Sequence, residues 1–206
     1  MLEIKSFCFG PFGTNTYVIR DKEDSAILVD PACASPYEEQ VLRTYLTHQG
    51  IDHLTIIATH GHLDHLWGAA WACEQWHSPV YMHEADIPMA QAMQEQYDLF
   101  GVQQVAEPFP IENIKSKIFN LQSKMSNFKL LETPGHTPGS VCLYWEKEKV
   151  LLSGDTLFHM GYGRTDLPGG NYAQLIASLQ RLFELPSDVR VYPGHGDPTT
   201  IGEEAR

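Results

Sequence analysis

The chain has 206 residues, 43% of them apolar and 19% charged, which is enough for a sizeable core and ordinary for a water-soluble fold. A formal charge of −12 argues against general binding to nucleic acid or anionic membrane, both of which ask for basic patches. No apolar run approaches the ~20 residues that span a bilayer, and Met1-Leu2-Glu3-Ile4-Lys5 lacks the basic-then-apolar order of a signal peptide, so a cytoplasmic location is expected.

Ile4 to Val18 reads as two strands around a Gly10-Pro11-Phe12-Gly13 turn. Asp21 to Asp24 is a second turn, and Ser25 to Asp30 a third strand closed by Pro31. Asp30 is either a strand-end turn residue or a buttress for the histidine cluster further on. Pro36 to Gly50 predicts a helix, started by Ser35-Pro36, striped by Val41, Leu42, Tyr45 and Leu46, and ended by Gly50. His48 near its end reads as exposed and His53 as structural. Leu54 to Ala58 is apolar and β-branched, a buried strand. It runs into Thr59-His60-Gly61-His62-Leu63-Asp64-His65, and Leu66 to Trp76 then reads as a helix.

Pro79 to His83 is a short strand, and His83 beside Glu84 and Asp86 reads as a polar strand-end residue rather than a ligand. Ile87 to Phe100 is helical in composition. Gly101 to Leu121, with Pro108 and Pro110, reads as an insertion or irregular strands near the mouth of a site. Phe128 to Leu131 is a strand that enters Thr133 to Ser140, where Pro and Gly flank His136 and can fix one imidazole. Val141 to Trp145 and Val150 to Ser153 are strands around a charged turn, the second ending at Gly154-Asp155-Thr156. A Gly-rich loop spans Leu157 to Gly170. Asn171 can cap a helix to about Leu185, with Leu175, Ile176, Leu179 and Leu182 on one face. Val189 to Tyr192 is the last strand and delivers Pro193-Gly194-His195-Gly196-Asp197.

This rhythm fits an α/β (α+β) four-layer fold, an αββα sandwich of two mixed sheets with helices outside, as a single domain over 1–206. Cys8, Cys33, Cys73 and Cys142 form no CxxC pair and read as small buried residues of a reducing compartment.

The chemistry concentrates at strand ends. The segment 60–65 holds three imidazoles and a carboxylate, donors that suit divalent Zn, Mn or Fe. His60 and His62 sit two apart and share a face of an extended backbone, while Asp64 and His65 follow as the chain turns, towards a second position nearby. One metal takes three or four ligands and this loop alone offers four. The count points to two adjacent ions, or to one ion and a general base.

The blocks THGHLDH, PGHTPGS, SGD and YPGHG, in this order and spacing, resemble the metallo-β-lactamase superfamily over essentially the whole chain. The likeness runs to its glyoxalase II branch, in particular to short bacterial forms without a C-terminal helical domain, whose loop Phe158 and Gly163 to Gly170 also resemble. The resemblance implies that His60, His62 and His136 bind one metal, that Asp64, His65 and His195 bind the other, and that Asp155 bridges both. It implies two divalent ions, zinc foremost with iron or manganese as alternatives, that share a hydroxide and hydrolyse an acyl thioester such as S-lactoylglutathione, with Asp64 orienting the nucleophile. Arg164, helped by Tyr162, is a candidate to grip a substrate carboxylate, the alternative being a salt bridge from Arg164 to Asp166. A mononuclear iron persulfide dioxygenase shares the pattern, and a member acting on another ester or lactone, or a silent metal-binding module, are further alternatives. The expected partner is a small acyl thioester, with no nucleic acid and no membrane. Oligomeric state is left open.

Overall fold

The structure, a computed structural model, describes residues 2–20, 25–116 and 128–205. The turn expected at 21–24 and the end of the 101–121 stretch lie outside the described residues. A six-stranded sheet takes β1 (Glu3–Phe9), β2 (Thr14–Arg20), β3 (Ser25–Val29), β4 (His53–Ile57), β5 (Val80–Met82) and β6 (Ile111–Asn113), side by side in that order. β1, β2 and β3 are antiparallel neighbours, and β3 to β6 run parallel. In the second sheet β7 (Lys129–Glu132), β8 (Val141–Trp145) and β9 (Val150–Gly154) form an antiparallel meander. β12 (Arg190–Pro193) then joins parallel to β9, with β13 (Thr199–Thr200) at its far edge. Between them in sequence, β10 (Leu157–Phe158) and β11 (Gly161–Tyr162) make a two-stranded hairpin inside the Gly-rich loop.

Side-chain alternation explains why β3 can be buried on both faces. Ile27 and Val29 join Tyr17, Ile57, Leu143, Trp145 and Leu152 in the core between the two sheets. Ala26 and Leu28 point the other way, into a core shared with the helices over the first sheet. Helix α1 (Pro36–His48) supplies Leu42 and Leu46 to that outer core. It begins where Ser35 Oγ accepts the Glu38 amide at 3.4 Å with Pro36 in the first turn. Across the second sheet lies α6 (Tyr172–Phe183), capped by Asn171 Oδ1 on the Gln174 amide. Its Leu175, Leu179 and Leu182 recur at helical spacing and pack on Cys142, Tyr144, Leu151 and Val191. Each such leucine, fully buried, contributes about 1.5–3 kcal/mol, so the outer layers are held by apolar stripes rather than by surface charge. Two mixed sheets lie face to face with helices outside, the αββα sandwich that the sequence predicts.

Several expectations need correction. The helix expected from Leu66 to Trp76 is two: α2 (Leu63–Leu66), which takes in Asp64 and His65, and α3 (Ala69–Trp76). Gly68 breaks them, its amide donating to Pro31 O at 2.8 Å, close against Cys33, where a Cβ would crowd. The expected helix Ile87–Phe100 also divides, into α4 (Ile87–Gln91) and α5 (Met93–Leu99), with Ala92 at φ −88° and ψ 30° between them. The supposedly irregular 101–121 stretch adds β6 to the sheet edge. After His195 the chain forms β13 and a short α7 (Ile201–Glu204) closed by a Thr200–Glu203 capping box. Among the cysteines Cys33, Cys73 and Cys142 are buried, but Cys8 is exposed, since it faces outward from the end of β1.

Candidate metal centre

Each element ends at the same edge of the sandwich. β4 delivers His60 and His62, α2 carries Asp64 and His65, the β7–β8 loop presents His136, β9 ends at Asp155, and β12 ends at His195. Backbone bonds lock these ends together, within the second sheet and across to the first. Val141 N donates to Thr59 O at 2.9 Å, Gly194 N to Gly154 O at 2.8 Å, and Asn15 N to Gly194 O at 2.7 Å. Tyr17 Oη, from the first sheet, donates to Pro193 O at 2.6 Å. All seven sequence-predicted ligands converge. Donor atoms of His60, His62 and His136 lie within 4.8 Å of one another, as do those of His60, His65 and Asp155, and those of Asp64, His65 and His195. Asp155 reaches both sides, with Oδ2 3.5 Å from His136 Nε2 and 3.5 Å from His195 Nε2.

The imidazoles are aimed from behind. His136 Nδ1 donates to Arg164 O at 2.7 Å, which turns Nε2 inward. His65 Nδ1 donates to Asp30 Oδ2 at 2.9 Å, leaving its Nε2 facing the cluster. Asp30 also accepts the Thr59 amide at 2.7 Å and the Thr59 hydroxyl at 2.8 Å. Of the two readings of Asp30, the buttress is the one the geometry supports, and the residue holds φ 53° to reach it. His83, read as a strand-end residue, caps the turn after β5 by accepting the Ala85 amide at 3.2 Å and stays out of the cluster. His48 and His53 are exposed.

Asp86 went unnoticed in the sequence. It is completely buried, and its Oδ2 accepts from Gly61 N at 2.9 Å and from Thr137 Oγ1 at 2.6 Å. Its Oδ1 accepts from Gly139 N at 2.6 Å. One carboxylate therefore clamps the loop of His60 and His62 to the loop of His136. Gln96 is a second silent support: its side chain accepts the Leu63 amide and donates to Gly61 O and Met89 O. Thr14 Oγ1 donates to Asp64 Oδ2 at 3.0 Å.

Electrostatically the cluster suits cations. Burial and the neighbouring imidazoles hold His62 down at about 4 and His60 well below the ordinary histidine value, so both lone pairs are free. Burial would raise Asp64 and Asp155, but His65 and His195 outweigh it, keeping Asp64 at about 2 and Asp155 well below the carboxylate range. Burial opposes a charge on His65 and His195 as well. The surrounding carboxylates win, lifting His195 to about 9 and His65 well above its usual value. Protons on these two rings stand where positive charge is demanded. Within the cluster two buried atoms remain without a hydrogen bond, His65 Nε2 and Asp155 Oδ1, although they lie 3.3 Å apart. Buried polar atoms seldom go unpaired, and a pair that face each other without bonding fit a shared third centre. The all-N/O donor set suits Zn, Fe or Mn.

Beside the cluster opens a cavity of about 400 Å³, walled by Phe12, Phe100, Phe158 and Leu167 and floored by His62 and Asp155. Arg164 and Tyr162 line it too, but Arg164 is engaged. Its Nε and Nη2 make a bidentate pair with Asp166 at 2.7 Å each, the alternative to a substrate grip that the sequence leaves open. The backbone of Arg164, through His136, is its tie to the centre.

A four-layered αββα sandwich with two fused His/Asp clusters at one edge defines a fold and site of the metallo-β-lactamase kind. The chain belongs to the Metallo-beta-lactamase superfamily, which it matches over residues 9–195. It is 35% identical to the hydroxyacylglutathione hydrolase GloC of Haemophilus influenzae, over 95% of this chain and 91% of that protein. It is 33% identical to the probable metallo-hydrolase YqgX of Bacillus subtilis, over 93% and 89%. The crystal structure of TTHA1623 in a di-iron-bound form superposes with a TM-score of 0.85 at 34% identity, covering 98% of this chain and 97% of that one.

Proposed function

We propose that the protein is a metal-dependent hydrolase of acyl thioesters, glyoxalase II-like, working at a dinuclear centre held by His60, His62, His136, Asp64, His65, His195 and the shared Asp155. The observation that carries this reading is the fusion of two ligand groups through Asp155, more donors than one ion can use. The GloC relative supports a thioester as the substrate class.

Bound dications would polarise a substrate carbonyl and lower the pKa of water from ~16 towards ~7. The chain's own residues do the rest. The cavity seats the acyl group beside His62 and Asp155. Asp64, a carboxylate kept deprotonated and held by Thr14, accepts a hydrogen bond from the attacking oxygen and so orients the nucleophile. Asp30 and the Arg164 carbonyl keep His65 and His136 in one tautomer throughout. A thiolate needs little help to leave, which suits a cavity whose described walls offer no lysine as general acid. On this reading zinc is the foremost metal and iron or manganese the alternatives, iron being the one that the TTHA1623 structure holds.

Chelation should abolish hydrolysis of S-lactoylglutathione and of simpler thioesters, and readded metal should restore it. Chelated protein that keeps its full rate refutes the proposal. A persulfide dioxygenase would instead consume oxygen and release sulfite, so an oxygen electrode separates the two.

A further inference from the structure

The cavity says more about the substrate than its acyl half. Phe12 projects from the β1–β2 turn and Phe100 from the end of α5, their rings 5.7 Å apart and edge-on, with Trp67 behind Phe12 at 6.2 Å. Phe158 lines the same cavity, 6.1 Å from the His195 ring, and Leu167 adds to its wall. Phe12 and Phe100 are 45% and 40% exposed, and Tyr162 is 49% exposed, so large apolar rings crowd the mouth of a polar centre. Exposed apolar surface gathered in this way marks a binding surface.

Charge on the wall points the same way. Among the described residues that line the cavity, Arg164 is the single cationic side chain besides the imidazoles, and Asp166 already occupies its fork. A glutathione arm brings two carboxylates and one ammonium, a net negative charge, and the wall offers it no free cation. Building on the thioesterase reading, we infer that the thiol arm of the physiological substrate is uncharged and apolar, seated between the Phe12–Phe100 pair and Phe158, and that Asp166 selects against anionic arms by holding Arg164.

The experiment compares two thioesters with one acyl group, S-lactoylglutathione and the lactoyl thioester of benzyl mercaptan, on metal-loaded protein. In parallel, calorimetry compares S-hexylglutathione with the uncharged benzyl hexyl thioether, neither of which can be hydrolysed. The uncharged thioester should show kcat/KM higher by about tenfold or more, mostly through KM, and the uncharged thioether the tighter Kd. Phe12→Ala and Phe100→Ala should shrink that preference. Asp166→Asn, which frees Arg164, should raise kcat/KM on the glutathione thioester relative to the uncharged one by about threefold or more. Equal or better use of the glutathione thioester by the unaltered protein, with no gain from Asp166→Asn, overturns the inference and leaves the thioesterase reading intact. Hydrolysis of neither thioester by the metal-loaded protein removes the thioesterase reading and the thiol-arm assignment with it, and tighter binding of the uncharged thioether then leaves only the apolar selectivity of the cavity.

Discussion

Removing the acceptor at Asp86 tests whether one buried carboxylate holds half of the metal centre. Three donors end on it: the Gly61 amide and the Thr137 hydroxyl on Oδ2, and the Gly139 amide on Oδ1. In Asp86→Asn the amide oxygen keeps the first two and turns an NH2 against the third. A buried donor left unsatisfied costs about 1–3 kcal/mol, so Asp86→Asn should lose roughly that much stability. Asp86→Ala strands all three. The Thr137 hydroxyl can still turn to Ser140 Oγ at 2.7 Å, which leaves two amides and an expected loss of about 2–6 kcal/mol. Against a typical total of about 5–15 kcal/mol that is a severe change, and the asparagine variant is the one to purify.

The effect on metal should be local. Gly61 lies between His60 and His62, and Thr137 and Gly139 follow His136, so Asp86 serves one ligand group, while Asp30 serves His65 in the other. Loss of such a support typically weakens metal affinity by about 10–100-fold. On the dinuclear reading, two-step titration against a chromophoric chelator should show one ion weakened in Asp86→Asn and the other little changed. Urea unfolding of the chelated protein measures the stability term separately. An Asp86→Asn protein with an unchanged urea midpoint and two unchanged metal affinities would show that the clamp is idle.

Asp30→Asn keeps a residue that tolerates φ 53° but loses the full acceptor set for His65 and Thr59, so the Asp64–His65–His195 group should weaken by about 10–100-fold in the same titration. Gly194→Ala would drive a methyl into Asp155 Oδ1 and His65 Cε1, and metal content by atomic absorption should fall sharply while far-ultraviolet circular dichroism stays native. Burial pushes the thiols of Cys73 and Cys142 up to about 11 and Cys33 higher still. The folded chain therefore holds protons that the unfolded chain releases near pH 9, and the stability tied to these thiols is complete below pH 9 and lost as pH rises through about 11. A urea midpoint followed from pH 8 to 11 should fall over that window, less so in Cys142→Ala, and at pH 8 a thiol reagent should label Cys8 alone in the native protein.

What the sequence discloses and what it conceals follow from how each residue is constrained. The ligands are visible because a metal accepts few side-chain types, and because four of them share one loop: His60, His62, Asp64 and His65 would be improbable neighbours without a cation. The cores are visible because strands alternate and helices repeat, as Leu175, Leu179 and Leu182 do. Helix breaks were hidden because they rest on tertiary partners. Gly68 interrupts a stretch of good helix formers since its amide is drawn to Pro31, thirty-odd residues back, and no local pattern announces that. Asp86 was hidden for a similar reason. Its partners at positions 61, 137 and 139 are remote in sequence, and an aspartate in Glu84-Ala85-Asp86 looks like any acidic turn. Asp30 was half visible, because a carboxylate at a strand end beside a metal loop suggests a support without saying which ring it serves. The metal chemistry demands rare residues, whereas the scaffold aims them with common ones. A motif search therefore finds the donors and passes over the carboxylates that set their direction. The same division applies to specificity: Phe12 and Phe100 belong to no motif, yet on the proposed reading they and not the donors would distinguish one thioester arm from another.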